Sequence, residues 1–83
     1  MKKIIFLMIL SLGIHISLYA NEIELYKKSC DAGDAGGCFN LGLMYVKGEG
    51  VKQDSFKAKY LFGKSCDAGL AEGCKNYAIL NKK

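Results

Sequence analysis

Lys28-Ser29-Cys30-Asp31-Ala32-Gly33 returns as Lys64-Ser65-Cys66-Asp67-Ala68-Gly69, and Cys38 returns as Cys74 at the same offset of 36 residues. Ala35 and Ala71, Gly37 and Gly73, and Asn40 and Asn76 keep that register. The matched residues mix small, polar and sulfur side chains, so the repetition is not compositional bias. Self-similarity at a period in the thirties is the mark of stacked helical hairpins, which present surfaces to partners more often than they build catalytic pockets.

The first twenty residues are of a different kind. Lys2 and Lys3 precede an apolar run from Ile4 to Leu12, and after Leu18-Tyr19-Ala20 the chain turns polar at Asn21-Glu22. This reads as an export signal, residues 1–20, cut after Ala20. The rival reading is an uncleaved anchor, because a stretch of about 16 mostly apolar residues approaches membrane-spanning length. No cysteine stands at the cut to take a lipid.

Removing 20 of 83 residues leaves 63, and the loss of Lys2 and Lys3 lowers the net charge from +4 to +2. The chain has no Arg, Trp, Pro or Thr, and its one histidine, His15, leaves with the signal. A histidine base, a histidine metal ligand and an arginine clamp are therefore excluded by inventory. Nucleic acid is not an expected partner, since the basic footprint it requires is missing.

Export places four cysteines where disulfides form, and an even count in a short chain argues for two bridges. Three pairings are open. The recurrence of C-x7-C with the unit favours Cys30 with Cys38 and Cys66 with Cys74. Eight residues of unbroken helix would hold two Cα atoms about 12 Å apart, beyond the roughly 7 Å that a disulfide spans. The chain must therefore turn between them, at Gly33, Gly36 and Gly37 and at Gly69 and Gly73. Zinc is disfavoured because seven residues between thiolates exceed the usual knuckle spacing. No metal and no cofactor is expected.

Apolar spacing places four helices. The first, from about Asn21 to Ala32, has Asn21 and Glu24 at capping-box spacing and Leu25, Tyr26, Ser29 and Cys30 on one face. The second, about Ala35 to Val46, turns Cys38, Leu41, Gly42 and Tyr45 inward. A loop from Lys47 to Gln53 follows, with 48–53 as linker. Asp54 caps a third helix through Ala68, with Ala58, Leu61, Phe62, Ser65 and Cys66 aligned. The fourth, about Leu70 to Leu80, turns Cys74, Tyr77 and Ala78 inward. No strand signal is present. The domain of residues 21–83 thus holds one unit at about 21–47 and a second at about 54–81.

Gly48-x-Gly50-Val51-x-x-Asp54-x-x-x-Ala58 with Leu61-Phe62, and Leu41-Gly42-x-x-Tyr45 before it, resemble the Sel1-like repeat, a relative of the tetratricopeptide repeat. The added C-x7-C resembles the secreted, cysteine-rich Hcp-type branch of that family. The resemblance implies an all-α fold, an α/α-superhelix (solenoid) of two disulfide-clamped helix-turn-helix units, exported by a bacterium to the periplasm or beyond and used for protein or peptide binding. Members of the branch are commonly labelled penicillin-binding proteins or β-lactamases, so the resemblance carries β-lactam binding or hydrolysis as an alternative. The departures are a chain of two units rather than more, Tyr77-Ala78 in place of Leu41-Gly42, and Glu22 in place of Ala58.

The residues give the hydrolase little support. A penicilloyl-serine mechanism wants Ser-x-x-Lys, whereas Ser29, Ser55 and Ser65 are followed at that position by Ala32, Ala58 and Ala68. For binding, the candidates are Lys28 and Lys64, Asn40 and Asn76, with Tyr60 and Lys57 on the third helix, because stacked units align equivalent positions and amides beside ammonium groups hold peptide carbonyls or carboxylates. The apolar ends of a two-unit stack favour self-association or docking onto a longer solenoid unless the last helix is a polar cap. Asn81 in place of Tyr45, followed by Lys82-Lys83, reads as such a cap at the C-terminal end, and the N-terminal end has none.

Overall fold

The structure, a computed structural model, describes residues 21–82. Signal or anchor, the segment 1–20 lies outside the described residues. Among those described there are four helices and no strand: α1 over residues 21–31, α2 Ala35–Lys47, α3 Ser55–Asp67 and α4 Ala71–Asn81. Consecutive helices pack, α2 on α3 and α3 on α4. The all-α solenoid expected from the sequence is therefore the fold, and no described helix is long and apolar enough to cross a membrane.

Each hairpin turns in the same way. The Asp34 N–H donates to the Ser29 carbonyl at 2.9 Å and the Gly33 N–H to Cys30 at 2.9 Å; one period on, Leu70 donates to Ser65 at 3.1 Å and Gly69 to Cys66 at 2.9 Å. These are paired Schellman closures, which need a left-handed residue at the turn. Gly33 and Gly69 supply it, with φ of 93° and 105°. The return helix then comes close enough for the disulfides Cys30–Cys38 and Cys66–Cys74, whose Cα atoms are 4.4 and 4.6 Å apart. All four cysteines are bridged, which leaves no thiolate for zinc.

A second glycine in each unit permits that approach. A Cβ on Gly37 would lie 2.5 Å from the Ser29 Cβ and 2.9 Å from the Cys30 nitrogen; one on Gly73 would lie 2.7 and 3.0 Å from the equivalent atoms of Ser65 and Cys66. Serine and glycine eight apart are thus the contact across each hairpin, beside the sulfur bridge.

The linker closes on itself. Asp54 is an extended N-cap whose carboxylate accepts from the Lys57 N–H at 3.1 Å, as its position predicts. Its own N–H donates to the Tyr45 carbonyl at 3.0 Å, and the Gln53 amide donates to Val46 at 2.8 Å, which ties the start of unit two to the end of unit one.

Cys30, Cys38, Leu41 and Leu61 form the core, with Ile23, Tyr26 and Tyr45 packed on it. Beside it Phe62 meets Phe39 at 5.6 Å between ring centroids and lies over Gly42. The buried Ser65 hydroxyl donates to the Ala35 carbonyl at 3.0 Å, joining the units through a polar contact. The stripes of α2 and α3 are as expected, with Gly37 and Met44 also buried. Three expectations fail. Leu25 is 61% exposed, because no described helix covers that side of α1. Tyr77 and Ala78 face outward for the matching reason at α4, where Gly73 alone is buried. Asn21 is itself helical and lacks the extended backbone of a cap.

Candidate functional site

A groove of about 260 Å³ runs between α1 and α3, with α2 as its floor. Its position follows from helical geometry: residues 24, 27 and 31 of α1 and 57, 60 and 64 of α3 recur every three or four positions, so each set shares one face. Ile23, Leu41 and Leu61 make the apolar base, over the Cys30 end of the first disulfide. Lys27, Lys57 and Lys64 bring three ammonium groups to the walls against the carboxylates of Glu24 and Asp31. Tyr45 and Tyr60 complete the lining.

Two of the lysines are oriented by aromatic faces. The Lys57 Nζ stands 5.4 Å from the centre of the Tyr45 ring, and the Lys64 Nζ 5.8 Å from that of Tyr60. Such contacts hold an ammonium group near the ring while leaving its protons free to donate elsewhere. An apolar base flanked by ammonium, phenol and carboxylate groups can seat an extended peptide, with donors for carbonyls and carboxylates and acceptors for N–H groups.

Of the residues singled out in the sequence, Lys57, Tyr60 and Lys64 meet in this groove. Asn76 lines a separate, almost wholly apolar groove of about 180 Å³ with Leu43, Val46, Phe62, Ile79 and Leu80. Lys28 is exposed and Asn40 half-buried, and neither lines either groove, so the six candidates do not converge on one place. Lys27, Glu24, Asp31 and Tyr45 are not among the sequence's binding candidates: Lys27, Glu24 and Tyr45 have Gly63, Tyr60 and Asn81 as counterparts and do not recur, and Asp31, which recurs as Asp67, stands out only as part of the repeated segment. A groove between α1 and α3 is built from two opposed faces, which need not be alike. The spacing of Lys27 and Asp31, one helical turn apart on the face that carries Ile23, was the available signal.

Of the serines, Ser65 is buried and engaged with Ala35, while Ser55 is exposed at the start of α3.

The Sel1 repeat family model matches residues 23–34 and 35–70, together more than half of the chain. The chain belongs to the Sel1 repeat family. Sel1 repeats generally mediate protein–protein interaction. The second match spans α2 and α3, so the family frame is phased half a unit away from the hairpins that the disulfides clamp, and α4 lies beyond it. No curated protein and no solved structure matches the chain.

Proposed function

We propose that this Sel1 protein is an exported, disulfide-clamped binding module that takes a peptide or protein segment in the groove between α1 and α3. The observation that carries the reading is the groove itself: an apolar base with three lysines, two of them held over tyrosine rings, and two carboxylates, with the α1 wall tied to the α2 floor by a buried disulfide. Both clamps support an oxidising location outside the cytoplasm, where such bridges persist. Removal of residues 1–20 as a leader accords with that location.

The test is selection of a displayed random-peptide library on the oxidised protein, followed by calorimetric titration of the enriched peptides. Tyr60 and Lys64 are more than marginally accessible, so Tyr60→Ala and Lys64→Glu should leave the fold intact and weaken binding at least about tenfold, as expected for a central contact. Enriched peptides that bind both variants as well as the parent would contradict the assignment, as would the absence of any enrichment. Turnover of a chromogenic cephalosporin by the same preparation is what the alternative implied by the Hcp-type resemblance requires.

A further inference from the structure

The two ends of the described chain carry the two halves of one seam. That seam exists inside the chain, where α3 covers unit one: Leu61 is 5% and Phe62 1% exposed, Leu61 in one cluster with Leu41 and Phe62 over Gly42. A shift of one period carries Leu61 back onto Leu25 and Leu41 forward onto Tyr77. At those positions the side chains are 61% and 38% exposed.

A groove at the α4 end repeats the pattern. It is lined by Gly63, Cys66, Asp67 and Tyr77. One period earlier these are Lys27, Cys30, Asp31 and Leu41, the wall that α1 and α2 give to the charged groove. The opposite wall there is α3, through Lys57, Tyr60, Leu61 and Lys64, whose equivalents in α1 are Asn21, Glu24, Leu25 and Lys28. The α4 end thus shows half a groove, and α1 carries residues in register to complete it. Cys66 shows the same incompleteness, being half-buried where Cys30 is fully buried.

We propose that a second copy of this chain docks head to tail, its α1 lying on α3 and α4 of the first as α3 lies on α1 and α2. The contact covers Leu25 and Tyr77 together and closes over Cys66. It sets Lys28 opposite Asp67, as Lys64 and Asp31 face one another across the charged groove, and so gives Lys28 a place that neither groove supplies. Two departures loosen the contact relative to the seam inside the chain. Ala78 stands where Gly42 does, and a Cβ at Gly42 would lie 2.8 Å from the Phe62 ring, so Ala78 holds the incoming Tyr26 outward. Glu22 brings a carboxylate to the place of the buried Ala58. Such an interface joins unlike patches, so it builds rings or open chains rather than an isologous pair.

Sedimentation equilibrium of the oxidised chain over a wide concentration range tests this. The average mass should rise with concentration. Leu25→Asp should lower the association constant at least about tenfold, the effect of losing one buried leucine; helicity measured alongside shows that the fold survives at this exposed position. Ala78→Gly should tighten association several-fold, an outcome that a simple loss of helix propensity would not produce. A monomer mass at every concentration, association indifferent to Leu25→Asp, or an Ala78→Gly variant of unchanged helicity that associates no more tightly than the parent would each overturn the proposal. Peptide binding in the groove between α1 and α3 is measured on dilute protein and stands or falls separately.

Discussion

At the scale of single residues, the glycines divide into those that the fold requires and those that it tolerates. Gly37 and Gly73 sit where a Cβ would overlap a serine and a backbone nitrogen, whereas a Cβ on Gly36 would meet only the Asp34 carboxylate, at 3.8 Å. Gly37→Ala or Gly73→Ala should therefore destabilise the protein by about 1–3 kcal/mol, the usual effect of forcing a methyl group into packed surroundings. Gly36→Ala should be neutral or stabilising by no more than about 1 kcal/mol, since it only restricts the unfolded chain. Thermal melts of the variants check both, with a shift of about 4–8 °C per kcal/mol expected at this size. Equal melts for Gly36→Ala and Gly73→Ala would mean that the Ser65–Gly73 contact is not close. Ser65 belongs to the same layer: Ser65→Ala removes a buried hydroxyl bond to Ala35 and should cost about 1 kcal/mol.

Among the elements α2, α3 and α4, the last is the least buried. Only Gly73 of α4 is buried, against five residues of α2 and four of α3, and no side chain caps its start. Hydrogen exchange followed by mass spectrometry should find α4 amides at least about tenfold less protected than those of α2 and α3. Uniform protection would show instead that the three helices open together. The same element marks how far the sequence could be read. α3 was legible throughout, because Asp54 signals its start and Ala58, Leu61, Phe62 and Ser65 form a stripe that unit one covers. The turns were legible from their glycines, and the sulfur pairing from its recurrence. In α4 the stripe through Tyr77 and Ala78 is present in the sequence and exposed in the fold, and Leu25 in α1 is its counterpart. Helical periodicity tells which face is apolar, but not whether anything lies against it. The charged groove was half legible for a related reason: Lys57, Tyr60 and Lys64 share a face of α3, while the opposing Lys27, Glu24 and Asp31 become neighbours only once the hairpins stack.

On the scale of the whole molecule, the described residues 21–82 make a stack of two hairpins that is expected to lean on its sulfur bridges. A folded stretch of about 60 residues, the size of the described part, buries only about 60% of the surface of its unfolded form. Each bridge closes a nine-residue loop, which by chain entropy contributes about 2.6 kcal/mol as an upper figure, so two approach the full stability of a small domain. Reduction by an excess of dithiol should accordingly abolish most of the far-ultraviolet helical signal at physiological temperature, and a reduced protein that keeps its helicity would show that packing alone suffices. The pairing itself can be read directly by cleaving the unreduced protein after lysine. No lysine or arginine separates Cys30 from Cys38 or Cys66 from Cys74, so each pair lies on one fragment, 29–47 or 65–75. Mass spectrometry of the digest should find both fragments separate, each lighter than its reduced form by two hydrogens; a single species joining 29–47 to 65–75, or fragments with free thiols, would contradict an architecture of hairpins clamped one by one.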